Sequence, residues 1–168
     1  MANKSIVFAC ANPVPEIYPY AAKEAGAYIV ATGRGDFPNQ VNNSMGFPGI
    51  LKGALVVRAR KITDEMAITA ANSLADFAQK KGIHPDHIMP TMDETEVFAQ
   101  EAADVAMEAI RNGVARIQTV HDEVYRRTLH DIEEARAAME LLMEHDFIKK
   151  PDIGLLEDAV RKAISAVQ

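Results

Sequence analysis

The sequence predicts an α/β chain, and two observations carry that expectation. Two continuous apolar runs, SIVFACA (Ser5 to Ala11) and AYIVATG (Ala27 to Gly33), flank one short stretch compatible with a helix. Beyond about residue 60 the apolar residues recur every three or four positions instead, the period of a helix buried along one face. The first pattern is that of a strand–helix–strand unit, whose strands pair in parallel and are covered on both faces. Together they describe a partial, Rossmann-like parallel sheet of two or three strands, followed by a mainly helical C-terminal part.

Each element has its own signal. The first run reads as a strand buried on both faces, and Pro13 and Pro15 in NPVPE end it because proline cannot donate to a ladder. YPYAAKEAG is a short helix with Gly26 at its C′ position. The second run is the second buried strand, ending at Gly33. A helix begins between Gln40 and Asn43 and reaches about Val57, with Pro48 inside it. Thr63 caps the next helix, with Asp64 and Glu65 in the first turn, where the helix dipole favours acids. Its apolar stripe is Met66, Ala70, Leu74, Phe77 and Ala78, and Gly82 closes it. HIMP (His87 to Pro90) is a candidate third strand. Val97, Ala102, Val105 and Ala109 mark another helix that stops near Gly113. A variant capping box from Thr119 to Asp122 opens a long helix with Tyr125, Leu129, Ile132, Met139 and Met143 on its stripe. Leu156, Val160, Ile164 and Val167 define a terminal helix, so the boundary expected is residues 1–150 and then 151–168.

Composition narrows the function classes. The chain has 168 residues with a formal net charge of −6, which speaks against nucleic acid as a partner, since that would call for a basic stripe. Its single cysteine, Cys10, cannot form an internal disulfide, in keeping with a cytoplasmic setting; in a buried strand without an adjacent base it reads as inert. No segment has the apolar length to cross a bilayer, so no membrane partner is expected. Two or three strands of buried type make an incomplete sheet. The expectation is therefore a C-terminal part of something larger, or a chain whose missing strands come from another chain. An apolar edge strand also predicts self-association into a homo-oligomer.

Candidate chemistry gathers at the two strand ends. In open α/β sheets ligands bind beyond the carboxyl ends of the strands, and these ends carry Asn12 and the amide-rich loop from Gly33 to Asn43. Asn42 and Asn43 fall at a helix N-terminus, which favours anions. A side-chain amide offers two donors and an acceptor without adding charge. Asparagine in loops also serves as cap and turn former: Asn39 reads as an N-cap and Asn12 as an Asx turn before Pro13, and on composition alone both readings stand. His84 and His87 lie in a proline turn without a completing ligand set. His121, His130 and His145 read as surface residues.

The order and spacing of three motifs are more specific. ANPVPE, GRGDFPNQVNN and FPGILKGAL closely resemble the C-terminal half of the NAD(P)-binding domain of bacterial and archaeal malic enzymes, and the resemblance runs from about Ser5 to Ile148. It implies oxidation of L-malate with NAD or NADP and decarboxylation to pyruvate, with Mg²⁺ or Mn²⁺ in the complete enzyme. It implies that Asn12 lies by the nicotinamide ribose, that Asn43 binds the malate carboxylate, and that Asn42 is a further substrate contact. The family's catalytic tyrosine and lysine, its acidic metal ligands and its GxGxxG fingerprint have no match here; Tyr18, Tyr20 and Lys23 do not correspond to the catalytic pair. Gly35 stands where the family often has serine. The isolated chain is thus expected to be inactive. The alternatives are a non-catalytic binding or assembly module, and part of a malolactic-type enzyme that releases lactate.

Overall fold

The computed structural model describes residues 2–149 and 152–167. Their elements are β1 (Ile6–Ala9), α1 (Pro19–Glu24), β2 (Ile29–Thr32), α2 (Asn43–Val56), α3 (Asp64–Lys81), α4 (Thr95–Arg111), α5 (His121–Glu144) and α6 (Ile153–Val167). The chain forms two compact units, one up to His130 and the other from Asp131 on.

In the first unit β1 and β2 pair in parallel, from Ile6 opposite Ile29 to Ala9 opposite Thr32. Helix α1 makes the crossover, with proline at its start and Gly26 at φ 96° just past its end, a conformation glycine adopts without steric cost. Ala22, Ala27 and Val30 form a small core there, with Val7 packed against it. Only that side of β1 is covered. Ile6 is 61% and Phe8 54% exposed, so the expected burial of the first strand on both faces does not hold within this chain. A strand side chain needs a layer on its own face, and α1 supplies one layer. Cys10 is exposed rather than buried, because β1 ends at Ala9 and residue 10 already belongs to the following loop.

The helical core lies where α2, α3 and α4 pack on one another. Ala54, Val57, Met66, Ala70, Val105, Ala106 and Ala109 are buried there. The α2–α4 crossing is close because α2 presents glycines to α4. A Cβ on Gly53 would lie 2.5 Å from the Ala102 carbonyl oxygen and 2.9 Å from the Val105 Cβ. Thr63 caps α3 as expected, accepting from the Met66 N–H at 3.3 Å, and Gly82 ends it at φ 98°.

Four local expectations change. No strand forms over His87–Pro90: His84 and His87 bond each other's backbones at 3.2 and 2.8 Å in a tight turn. The Ile88 N–H, which a ladder would need, is taken by the Asn39 side chain at 2.8 Å. Thr119 does not form a capping box with Asp122; its hydroxyl donates to Glu123 at 2.7 Å. The buried positions of α5 are Val124 and Thr128, one residue before the expected Tyr125 and Leu129. His121, expected at the surface, is part-buried and bonds Asp104 on α4 at 3.0 Å.

In the second unit Ile153, Leu156, Val160 and Ile164 line one side of α6 and are exposed. No helix among the described residues is long and apolar enough to cross a membrane.

Candidate functional site

Parallel pairing brings the carboxyl ends of β1 and β2 side by side, Ala9 next to Thr32. The chain leaves β1 into the Asn12 turn and leaves β2 into the amide-rich loop, so both candidate segments emerge at one edge. The Glu16 carboxylate accepts the Ala11 N–H at 3.0 Å, which folds the turn back on itself and holds the Glu16 pKa below its usual range. Asn12 is left exposed.

The second loop returns to the strand it left. The Val41 N–H donates to the Thr32 carbonyl at 2.7 Å, and the Thr32 N–H donates to the Asn39 carbonyl at 3.3 Å. Arg34 ties the two loops together. Its guanidinium grips Asp36 with two bonds, 2.7 and 2.6 Å, and donates from Nη1 to the Pro13 carbonyl at 3.0 Å. The same bidentate contact holds the Asp36 pKa down and the Arg34 pKa up. Arg34 and Asp36 were missed in the sequence; their signal, a GRGD turn between two candidate segments, shows its role only when Pro13 is placed beside it.

The four loop amides divide their work. Asn39 is not a helix cap. It is buried at φ 58°, and its amide donates to the carbonyls of Val30 at 3.1 Å and Pro85 at 2.8 Å while accepting from Ile88. It staples the loop to β2 and to the His84–His87 turn. Asn42 is the cap of α2: its oxygen accepts from the Ser44 N–H at 3.0 Å and its nitrogen donates to the Gly33 carbonyl at 2.8 Å. Asn43, the first residue of α2, is exposed. Gln40 lies beside Gly35, where an added Cβ would sit 3.2 Å from the Gln40 Nε2; a small side chain at 35 requires only that Gln40 give way slightly. Next to the start of α2 is an open cleft of about 310 Å³, lined by Asn42, Asn43, Met45, Phe47, Leu74 and Met89 among others.

Beneath the same helix lies a buried acid that the sequence did not single out. Glu101 of α4 is fully buried, and neither carboxylate oxygen has a hydrogen-bond partner. It fills the space left by Gly49, where a Cβ would lie 2.1 Å from its Oε2. Burial pushes its pKa up to about 8, while the nearby Gly49 N–H, outside hydrogen-bonding geometry, opposes this weakly. The acid is therefore mainly neutral at pH 7 and leaves intact the positive end of the α2 dipole, which favours an anion beside Asn43.

Among the described residues, no group of three or more His, Cys, Asp or Glu side chains is placed to hold a metal. Among the described residues, no donor set fits the Mg²⁺ or Mn²⁺ implied by the resemblance.

A parallel strand pair with its crossover helix, and a further helix starting at its carboxyl edge, is the arrangement of an α/β domain. Comparison with known proteins places it further. Residues 2–111 match the family model described as the malic enzyme, NAD binding domain, and the chain belongs to that family. It is 47% identical over 128 residues to the bifunctional malic/malolactic enzyme of Bacillus subtilis, covering 76% of this chain and 31% of that protein. Its fold matches a solved malic enzyme of Entamoeba histolytica, with a TM-score of 0.94 and 62% identity over 98% of this chain and 34% of that one. A malic enzyme of Pyrococcus horikoshii matches with a TM-score of 0.80 and 46% identity over 86% of this chain and 33% of its own. The chain thus spans about a third of the length of these relatives.

Proposed function

We propose that this chain supplies one wall of a malic-enzyme active site, the wall that contacts the nicotinamide end of NAD(P) and the carboxylate of malate. The observation that carries this reading is the meeting of Asn12 and the Asn42–Asn43 helix start at one edge of a parallel strand pair, tied together by Arg34. In this reading the exposed amide of Asn43, at the start of α2, donates to the malate carboxylate. Asn42, whose oxygen already takes the Ser44 N–H, keeps one N–H for the same ligand while fixing the helix start. Asn12 borders the nicotinamide ribose. NAD(P), when bound, would supply the hydride acceptor for C2 of malate. The residues of this chain hold the acid so that C2 faces the ring, and positioning of that kind is a large part of the catalytic effect.

Asn43 suits a substrate with a carboxylate and a neighbouring hydroxyl better than a lysine would. It gives both donor and acceptor, and it leaves the charge balance of the site to the helix end and to the rest of the enzyme. The acid–base pair, the metal ligands and the phosphate loop are supplied from outside the residues of this chain. A cytoplasmic setting goes with this reading, since the exposed single thiol of Cys10 suits a reducing compartment.

The test is complementation. The purified chain alone should give no malate-dependent NAD(P)H, and the chain mixed with or joined to the N-terminal two thirds of a relative should give it. Pyruvate as product supports the decarboxylating oxidation, whereas lactate with no net NAD(P)H places the chain with the malolactic branch. The exposed Ile6 and Phe8 of β1 favour one further reading, a non-catalytic assembly module. Complex formation without turnover would select that one.

A further inference from the structure

Glu101 is a buried acid to which the proposed chemistry gives no part. Both oxygens of its carboxyl group are buried without a hydrogen-bond partner, although an apolar side chain would fill the same space without the cost of burying a polar group. The carboxyl lies against the first half of α2 (Asn43–Val56). Gly49 leaves the room it fills, since a Cβ there would overlap Oε2, and a Cβ on Gly46 would sit 3.8 Å from Oε1. Gly46 also lines the open cleft at the start of α2, together with Asn42 and Asn43. The acid therefore stands directly behind one wall of the cleft assigned above to the malate carboxylate.

From that place its charge state reaches the ligand. Gly46 follows Asn43 by three residues, about 4.5 Å along a helix axis, so an anion at the helix start lies on the order of 10 Å from Glu101. At that separation a second negative charge weakens anion binding about twofold in bulk water and about 15-fold at the effective dielectric near a protein surface. It would also offset the positive end of α2. Lys52 is the one charged side chain of α2. Asp76 of α3 faces α4 across a cleft to which α4 contributes Asp104, Glu108 and Arg111, and α5 brings His121 to Asp104. None of these governs the proton of Glu101, which burial retains and the Gly49 N–H alone opposes. We propose that Glu101 is a positioning residue for malate: its uncharged carboxyl backs the start of α2, and its ionisation weakens binding of the malate carboxylate there. This rests on the reading of the Asn43 helix start as the carboxylate site.

Glu101→Gln in the chain joined to the N-terminal two thirds of a relative tests this, with KM and kcat for malate measured from about pH 6.5 to 9. The native KM divided by that of the glutamine variant should rise at least threefold across this range, because every other titrating group is common to the two proteins. A role confined to folding would lower kcat through the folded fraction and leave that ratio of KM values flat, which would overturn the proposal. Binding gives a second readout. By linkage malate raises the proton affinity of Glu101, so calorimetric titration near pH 8 in buffers of different ionisation enthalpy should show proton uptake. The native enzyme should take up about a quarter of a proton more than the variant, and equal uptake would contradict the proposal. Glu101→Met fills the space without a polar head; it should give the same rising ratio and serves where glutamine impairs folding. Asn43→Ala separates the two readings. If it leaves kcat/KM unchanged, both fall; if it lowers kcat/KM while the Glu101 ratio stays flat, the site stands and this proposal alone falls.

Discussion

Replacing Glu101 by glutamine isolates one buried proton and turns it into a stability measurement. In the folded chain burial raises the Glu101 pKa to about 8, against an ordinary value of 4.5. Between those values the unfolded chain has released the proton while the folded chain still holds it. Stability then falls as pH rises, by about 1.4 kcal/mol per pH unit for one proton. The contribution is fully present below 4.5 and is lost as pH rises through about 8. From pH 5.5 to 7.5 the native chain should lose about 3 kcal/mol through this group, a drop of roughly 6–12 °C in Tm for a domain of this size. Glu101→Gln keeps the shape but cannot ionise, so its stability should lack that slope. The assay is urea unfolding of both proteins at several pH values, read as the difference between them. Every other titratable group is common to the two proteins and cancels in that difference. The carboxylates lowered by partners, Glu16, Asp36, Glu65, Asp86 and Glu94, act with the opposite sign and only at more acid pH. Parallel curves for the two proteins across pH 5.5–7.5 would refute the argument, as would a native chain that gains stability over glutamine as pH rises.

Three further predictions rest on local packing and hydrogen bonds. Gly53→Ala drives a Cβ to 2.5 Å from a backbone oxygen, so it should destabilise by about 1–3 kcal/mol in urea titration, with the cost of overpacking outweighing any gain in helix propensity. Asn39→Ala strands the Val30 and Pro85 carbonyls and the Ile88 N–H. It should cost about 3 kcal/mol and raise hydrogen exchange at Ile88; unchanged exchange there would contradict the staple. Asn42→Ala should cost about 1 kcal/mol as a lost cap, and Asn42→Ser should recover most of it.

The helices were legible because capping and period are local. Thr63, Gly26 and Gly82 each announce an end within a few residues, and α2 begins within the expected Gln40 to Asn43 window despite Pro48, although its cap is Asn42 and not the expected Asn39. The parallel pair was legible from two apolar runs too hydrophobic to alternate. What escaped depends on residues distant in the chain. Asn39 looks like a cap until Pro85 and Ile88 are placed next to it, more than forty positions on. Glu101 looks like one more charge on an amphipathic helix until Gly49 leaves it room on the buried side. Arg34 matters through the Pro13 carbonyl, 21 positions earlier. HIMP has the composition of a strand, yet Asn39 claims the Ile88 N–H that pairing would need.

The central claim is that the strand-end amides of this chain face substrate, and Asn43→Ala in the complemented enzyme tests it most directly. Malate-dependent NAD(P)H formation is measured for the chain joined to the N-terminal two thirds of a relative, with and without the substitution. Loss of a hydrogen bond to a charged ligand is worth about 1.5–3 kcal/mol, so kcat/KM for malate should fall by roughly 10- to 150-fold. The fold should survive, because Asn43 is exposed at the helix start. A complemented enzyme that turns over malate equally well with alanine at position 43 would contradict the account.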